Sequence, residues 1–306
     1  MAKTSMPLTT RISQFAVNFV LRGLILVALA LPYRWRIPLM GWLVAQVVAP
    51  IAGYRQRIRE NLALVMPDLP KAEVERLARA VPNNFGRTLI EIYSGEEFIK
   101  RAKSAPVSGP GLAALEQARA DGRAVILVTA HLGNYDVARA NLIGRGHNMG
   151  ALYRRMSNVY FNEHYIKSIS AIGEPMFEQG RRGMMQLVKH LRAGGVLGIL
   201  TDLSASDGIA LRFFGVRALT SLVTAEMALK YDAVLIPVYS LRAENGLDFE
   251  VILREPIPHS TALKMTQAAN DDLEQIVRDH MDQWFWIHKR WKYGDLPDRQ
   301  IDESAL

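Results

Sequence analysis

The sequence predicts an α/β protein: a mixed, mostly parallel central sheet flanked by helices, preceded by an apolar amino-terminal helical segment. Three observations carry this. Strand-like and helix-like stretches alternate from about 110 to 240, the pattern of a sheet with helices on both faces. The strand-like runs are nearly continuous in Val, Ile and Leu, as in RAVILVTA over 123–130, which suits strands covered on both sides. The first 53 residues hold two apolar stretches unlike anything later in the chain.

The first of these, residues 12–31, carries its polar residues at Arg11, Gln14, Asn18 and Arg22. Spacings of three and four put them on one helical face and leave the rest of the circumference apolar. Arg22 sits near the middle, where a charge in a spanning helix is expensive. The second stretch, 37–53, is at the short limit for a span, and between the two lies PYRWR, an aromatic among arginines. This combination predicts a membrane-association segment over 1–53, by a helix in the interface or a tilted span. A hairpin buried in the core is the alternative.

Residues 54–66 and 71–94 read as helices, broken at Pro67 and Pro70 and kinked at Pro82. The loop 104–111, SAPVSGPG, precedes the alternating region. There, strands are expected over 123–130, in HNMGALYRR, EPMFE, GVLGILTD, AVLIPVYSL and DFEVILRE. Helices are expected between them and over 261–290. Residues 54–306 are thus expected to form one α/β domain.

With no cysteine in 306 residues, thiolate nucleophiles, disulfides and cysteine-ligated metal sites are excluded. A net charge of +7 suits an anionic partner. The basic residues are scattered and no recognition motif occurs, so nucleic acid is not expected. There is no Gly-x-Ser-x-Gly elbow, P-loop, Gly-x-Gly-x-x-Gly after a strand or His-Glu-x-x-His.

Ligands of such sheets sit beyond the carboxyl ends of strands. HLGNYD follows the first long strand. If His131 is still in the turn and Asp136 already on the helix, the carboxylate can hold one ring nitrogen and leave the other free to take a proton. Gly133 and Asn134 fit that turn. Arg154 follows the next strand, placed for a phosphate or a developing oxyanion. Asp202 follows GVLGIL, with a turn cap as its plainer reading. Phe213, Phe214 and Gly215 form an apolar loop that either lines a site or packs in the core, followed by Thr220 and Ser221 as helix caps. In QWFWIHKRWK, basic and aromatic residues interleave. That is the composition of a membrane or nucleic-acid surface, and more commonly of an amphipathic helix.

The ordered blocks RIRENLALVMPDL, AHLGNYD, YRRMSN, LGILTD, LRFFGVRALTS and DQWFWIHKRWK resemble the bacterial lipid A biosynthesis acyltransferase family, within the lysophospholipid acyltransferase-like superfamily. The resemblance implies transfer of a fatty acyl group from an acyl carrier protein or CoA thioester to a lipid hydroxyl, at the cytoplasmic face of a bacterial inner membrane. It implies His131 and Asp136 as a catalytic dyad, Arg154 and Asp202 as further site residues, backbone N–H groups near Gly133, or Arg154, as donors to the oxyanion, and no metal or cofactor. The acid of the motif is Asp where many lipid A members have Glu, a choice shared with glycerolipid and mannoside acyltransferases. A lysophospholipid or ornithine-lipid acyltransferase is the alternative among enzymes. A non-catalytic membrane-binding protein is the alternative outside them.

Overall fold

The computed structural model describes residues 7–292. Residues 1–6 of the expected amino-terminal segment and 293–306 of the expected domain lie outside it. The element order is α1 (Leu8–Leu29), α2 (Tyr33–Leu43) running through a π-helical turn (Val44–Val48) into α3 (Ala49–Ile51), α4 (Tyr54–Val65), α5 (Lys71–Tyr93), α6 (Glu96–Ser104) and β1 (Val107–Ser108). Then come α7 (Gly111–Ala120), β2 (Val125–Thr129), α8 (Asp136–Gly144), β3 (Met149–Tyr153), α9 (Val159–Ile172), β4 (Met176–Glu178), α10 (Arg181–Arg192) and β5 (Val196–Leu200). The chain continues with β6 (Ile209–Phe213), β7 (Val216–Thr220), α11 (Val223–Lys230), β8 (Val234–Arg242), β9 (Phe249–Leu253) and α12 (Ala262–Asp279).

Seven strands form the sheet in the order β1-β9-β8-β2-β5-β3-β4. Every neighbouring pair is parallel except β8 and β9. The mixed, mostly parallel α/β architecture is therefore the one the alternation predicts. β2 sits centrally between β5 and β8, and its side chains divide between two cores. Val125 and Leu127 join a cluster with residues of α6, α7 and α8, whereas Ile126 and Val128 join one with α10, α11 and the start of α12. Burial on both faces is why RAVILVTA shows no polar alternation.

Two segments differ from expectation. LRFFGVRALTS is an antiparallel hairpin, β6 with β7, rather than a loop. Its two-residue turn, Phe214–Gly215, has φ of 54° and 73°, a left-handed conformation costly for a phenylalanine. Burial of Phe213 and Phe214 against Trp284, Trp286 and Trp291 compensates. Within the sequence's expected helix caps, Ser221 accepts from the Val223 N–H, but Thr220 ends β7. The second difference is the carboxyl-terminal run, where the helix stops at Asp279 and QWFWIHKRWK is irregular. Trp284 and Trp286 are both buried. Two residues apart on a helix they would face nearly opposite ways, so only a non-helical chain buries both.

At the amino terminus, α2 packs along α5. The helices touch so closely that a Cβ on Gly86 would lie 2.6 Å from the Met40 carbonyl oxygen and 2.8 Å from Val44 Cβ. α1 instead lies on α9: the Gln14 amide donates to the Ser157 carbonyl, the Gln14 carbonyl accepts from Asn158, and Phe15 meets Tyr160 edge-on. Gln14 and Asn18 of the polar stripe thus face the protein, with Asn18 buried, while Arg11 and Arg22 are exposed, as are Phe15, Phe19, Val20, Leu24 and Val27. By length and composition α1 could cross a membrane.

Gly86→Val overfills the α2–α5 contact, and the expected result is a loss of about 1–3 kcal/mol in unfolding free energy, read from urea denaturation.

Candidate active site

β2 delivers its chain to the carboxyl edge of the sheet, where Ala130 and His131 lead into a tight corner before α8. Gly133 makes the corner possible. It has φ of +56°, and a Cβ there would fall 2.0 Å from the Ser240 carbonyl oxygen. Its N–H donates to the Gln283 carbonyl, and its own carbonyl accepts from the Thr88 hydroxyl at 2.8 Å. Asn134 is fully buried: its backbone N–H donates to the Ser240 carbonyl, its amide donates to Glu91, and its side-chain oxygen accepts from the Asp136 N–H. Glu91, also fully buried, is held by both terminal nitrogens of Arg242.

The carboxylate that meets the imidazole is Asp202, not Asp136. β2 and β5 are parallel with Thr129 opposite Leu200, and continuing that register two residues past each strand sets His131 beside Asp202. Asp202 Oδ1 lies 2.9 Å from His131 Nδ1; Oδ2 accepts from the His131 backbone N–H at 2.9 Å and from Trp284 Nε1 at 3.1 Å. Burial alone would raise the Asp202 pKa. The charge and hydrogen bond of His131 outweigh it, with His288 adding to them, and hold the carboxyl well below the usual range. An ionised carboxylate only accepts, so the shared proton sits on Nδ1, leaving Nε2 as the basic nitrogen. The His131 ring is partly exposed, flanked by Tyr135, Phe285 and His288.

Asp136 does begin the helix, as expected, but its carboxylate turns away. Oδ1 accepts from Arg139 Nε at 2.9 Å and Nη2 at 2.7 Å, both residues buried. Arg139 in turn donates to the Gly173 and Ile169 carbonyls. A guanidinium one helical turn on is a stronger partner for Asp136 than an imidazole across the corner.

The other expected site residues separate. Gly133 and Asn134 shape the corner, with the backbone N–H groups of both committed to protein acceptors. Phe213 and Phe214 are in the aromatic core, and Gly215 turns the hairpin. Arg154 follows β3, two strand positions from β2; it is exposed and has no ion pair among the described residues. Local sequence singles out neither Trp284 nor Glu91. His288 lies inside the basic-aromatic run, yet its ring is 4.6 Å from that of His131. One donor atom from each of His131, Asp202 and His288 lies within 4.8 Å of the others, so the three could hold a cation. It would compete for the groups that orient His131.

The model of the family described as bacterial lipid A biosynthesis acyltransferase matches residues 3–293. Among curated proteins, a lipid A biosynthesis acyltransferase of Haemophilus influenzae is 26% identical over 265 residues, covering 84% of this chain and 81% of its own. Phosphatidylinositol mannoside acyltransferases from two strains of Mycobacterium tuberculosis are 23% identical over 245 residues, covering 78% of each chain.

Two expectations concern stability. Asp136→Asn leaves a buried guanidinium without its counter-charge and is expected to lower unfolding free energy by about 3–5 kcal/mol in chemical denaturation. Burial outweighs the opposing pull of the Asp202 carboxylate and, with the positive charges of His131 and Arg290, pushes the His288 pKa down from 6.5 to about 3. Between those values the unfolded chain binds a proton that the folded one excludes, so stability falls as pH drops through that window. His147 and His164, also lowered, act in the same direction. Urea midpoints at a series of pH values should decline from pH 7 to 4, less steeply for His288→Gln.

Proposed function

The chain belongs to the bacterial lipid A biosynthesis acyltransferase family, and from that premise we propose that it moves a fatty acyl group from acyl carrier protein to a hydroxyl of a lipid A precursor. Acyl transfer to a lipid acceptor is the activity its family carries. The observation that carries the reading is a partly exposed imidazole whose Nδ1 is held by a buried carboxylate, at the strand edge where ligands bind.

In this mechanism the acceptor hydroxyl donates to His131 Nε2. As its oxygen attacks the thioester carbonyl, Nε2 takes the proton. Asp202 keeps the ring in one orientation and stabilises the imidazolium. Collapse of the tetrahedral centre breaks the carbon–sulfur bond, and the imidazolium returns the proton to the departing thiolate. No acyl-enzyme is needed. Arg154, exposed at the same edge of the sheet, suits a phosphate of donor or acceptor. The apolar outer face of α1 suits a bilayer at the cytoplasmic face of the inner membrane, where an acyl carrier can reach the site, and the net positive charge suits an acidic carrier or anionic headgroups. The mannoside acyltransferase relatives favour, as a second reading, a glycosylated phospholipid acceptor.

The test is transfer of labelled lauroyl groups from carrier protein, and separately from CoA, to a lipid A precursor, a lysophospholipid, an ornithine-lipid precursor and a phosphatidylinositol mannoside. Label in the lipid A precursor with the carrier donor is expected, and label elsewhere replaces the acceptor. His131→Ala should lower turnover at least about 10²-fold, and Asp202→Asn about 10³–10⁴-fold. Turnover that survives both substitutions overturns the reading.

A further inference from the structure

Attack on a thioester builds negative charge on the carbonyl oxygen, and something must donate to it. At the corner carrying His131, five backbone N–H groups are already committed. The His131 N–H goes to Asp202, that of Leu132 to the Ala130 carbonyl, Gly133 to the Gln283 carbonyl, Asn134 to the Ser240 carbonyl and Asp136 to the Asn134 side chain. The Asn134 amide is taken by Glu91 and the Trp284 indole N–H by Asp202.

Among the buried polar atoms without a partner is Nε2 of His288, whose ring stands against that of His131. The residue is fixed from several sides. Its N–H donates to the Phe285 carbonyl, its carbonyl accepts from Asn61 at 2.8 Å, and its ring stands edge-on to Phe285 at 4.5 Å and to His131 at 4.6 Å. A ring nitrogen of each histidine lies within 4.8 Å of the other's.

We propose that His288 is a second catalytic imidazole, which donates from Nε2 to the thioester carbonyl oxygen and to the oxyanion it becomes. The assignment rests on the acyl-transfer reading and adds to it a group outside the His131–Asp202 pair. The two rings divide the work. His131, tied to a carboxylate, moves the proton. His288, whose Nε2 has no acceptor in the protein, donates in the Nε2–H form. A neutral imidazole polarising a carbonyl is established chemistry in other enzymes.

The experiment compares parent, His288→Ala, His288→Gln and His131→Ala with the donor and the acceptor that give turnover in the panel above. Rates are normalised to folded protein by near-UV circular dichroism. For His288→Ala, kcat should fall about 10²–10³-fold with KM for the acyl donor within about threefold of the parent. His288→Gln, which keeps an N–H donor, should recover at least tenfold of that loss. The acid limb of the kcat/KM profile should stay where the parent has it, because the base is unchanged. Full activity in His288→Ala, no recovery in His288→Gln, or a displaced acid limb each overturns the assignment. Activity surviving His131→Ala, or a parent with no turnover, overturns the acyl-transfer reading instead.

Discussion

A single carboxylate removed from water organises this protein. Asp202 is fully buried, and an ionised carboxylate in that position is costly unless its oxygens are satisfied. Three N–H groups satisfy it: two from His131, backbone and ring, and one from the indole of Trp284. The end of β5, the corner after β2 and the carboxyl-terminal segment therefore share one electrostatic requirement. None can shift without exposing a charge to apolar surroundings. The base inherits its orientation from the same arrangement.

A second buried ion pair fixes the other side of the corner. Glu91 comes from α5 and Arg242 from the end of β8, and Asn134 donates to the same carboxylate. Asn84 and Thr88 of α5 bond the Gly133 carbonyl. Helix α5 thus acts as a brace: it supports α2 through the Gly86 contact and supports the corner through its polar face. Such preorganisation keeps the imidazole at a fixed height above the sheet before any ligand arrives.

Much of this was legible in the amino-acid sequence. Continuous apolar runs marked β2, β5 and β8, and the residues just past β2, β3 and β5 were the places to search. The pairing of His131 with the wrong aspartate came from reasoning along the chain. The correct partner is 71 positions away, a separation equal to the β2–β5 register, which local spacing does not reveal. Phe213 and Phe214 were ambiguous because core and site residues have the same chemistry. The carboxyl-terminal run resembles an amphipathic helix by composition, but in the structure Trp284 and Trp286 are both buried, which no helix allows two residues apart, and Arg290 is buried instead of facing water. Its guanidinium bonds the Leu219 carbonyl and the Thr220 hydroxyl, strapping the hairpin down.

The contact between Gln14 and the chain just past Arg154 has a mechanical result. The hydrogen bonds of α1 to Ser157 and Asn158 tie its first turns to the stretch that leads into α9. Whatever surface takes up the greasy side of α1 also sets how far the imidazole stands from that surface. On the acyl-transfer reading proposed above, a lipid acceptor held in the same plane would reach the site by sliding in two dimensions, leaving the search through bulk solvent to the donor.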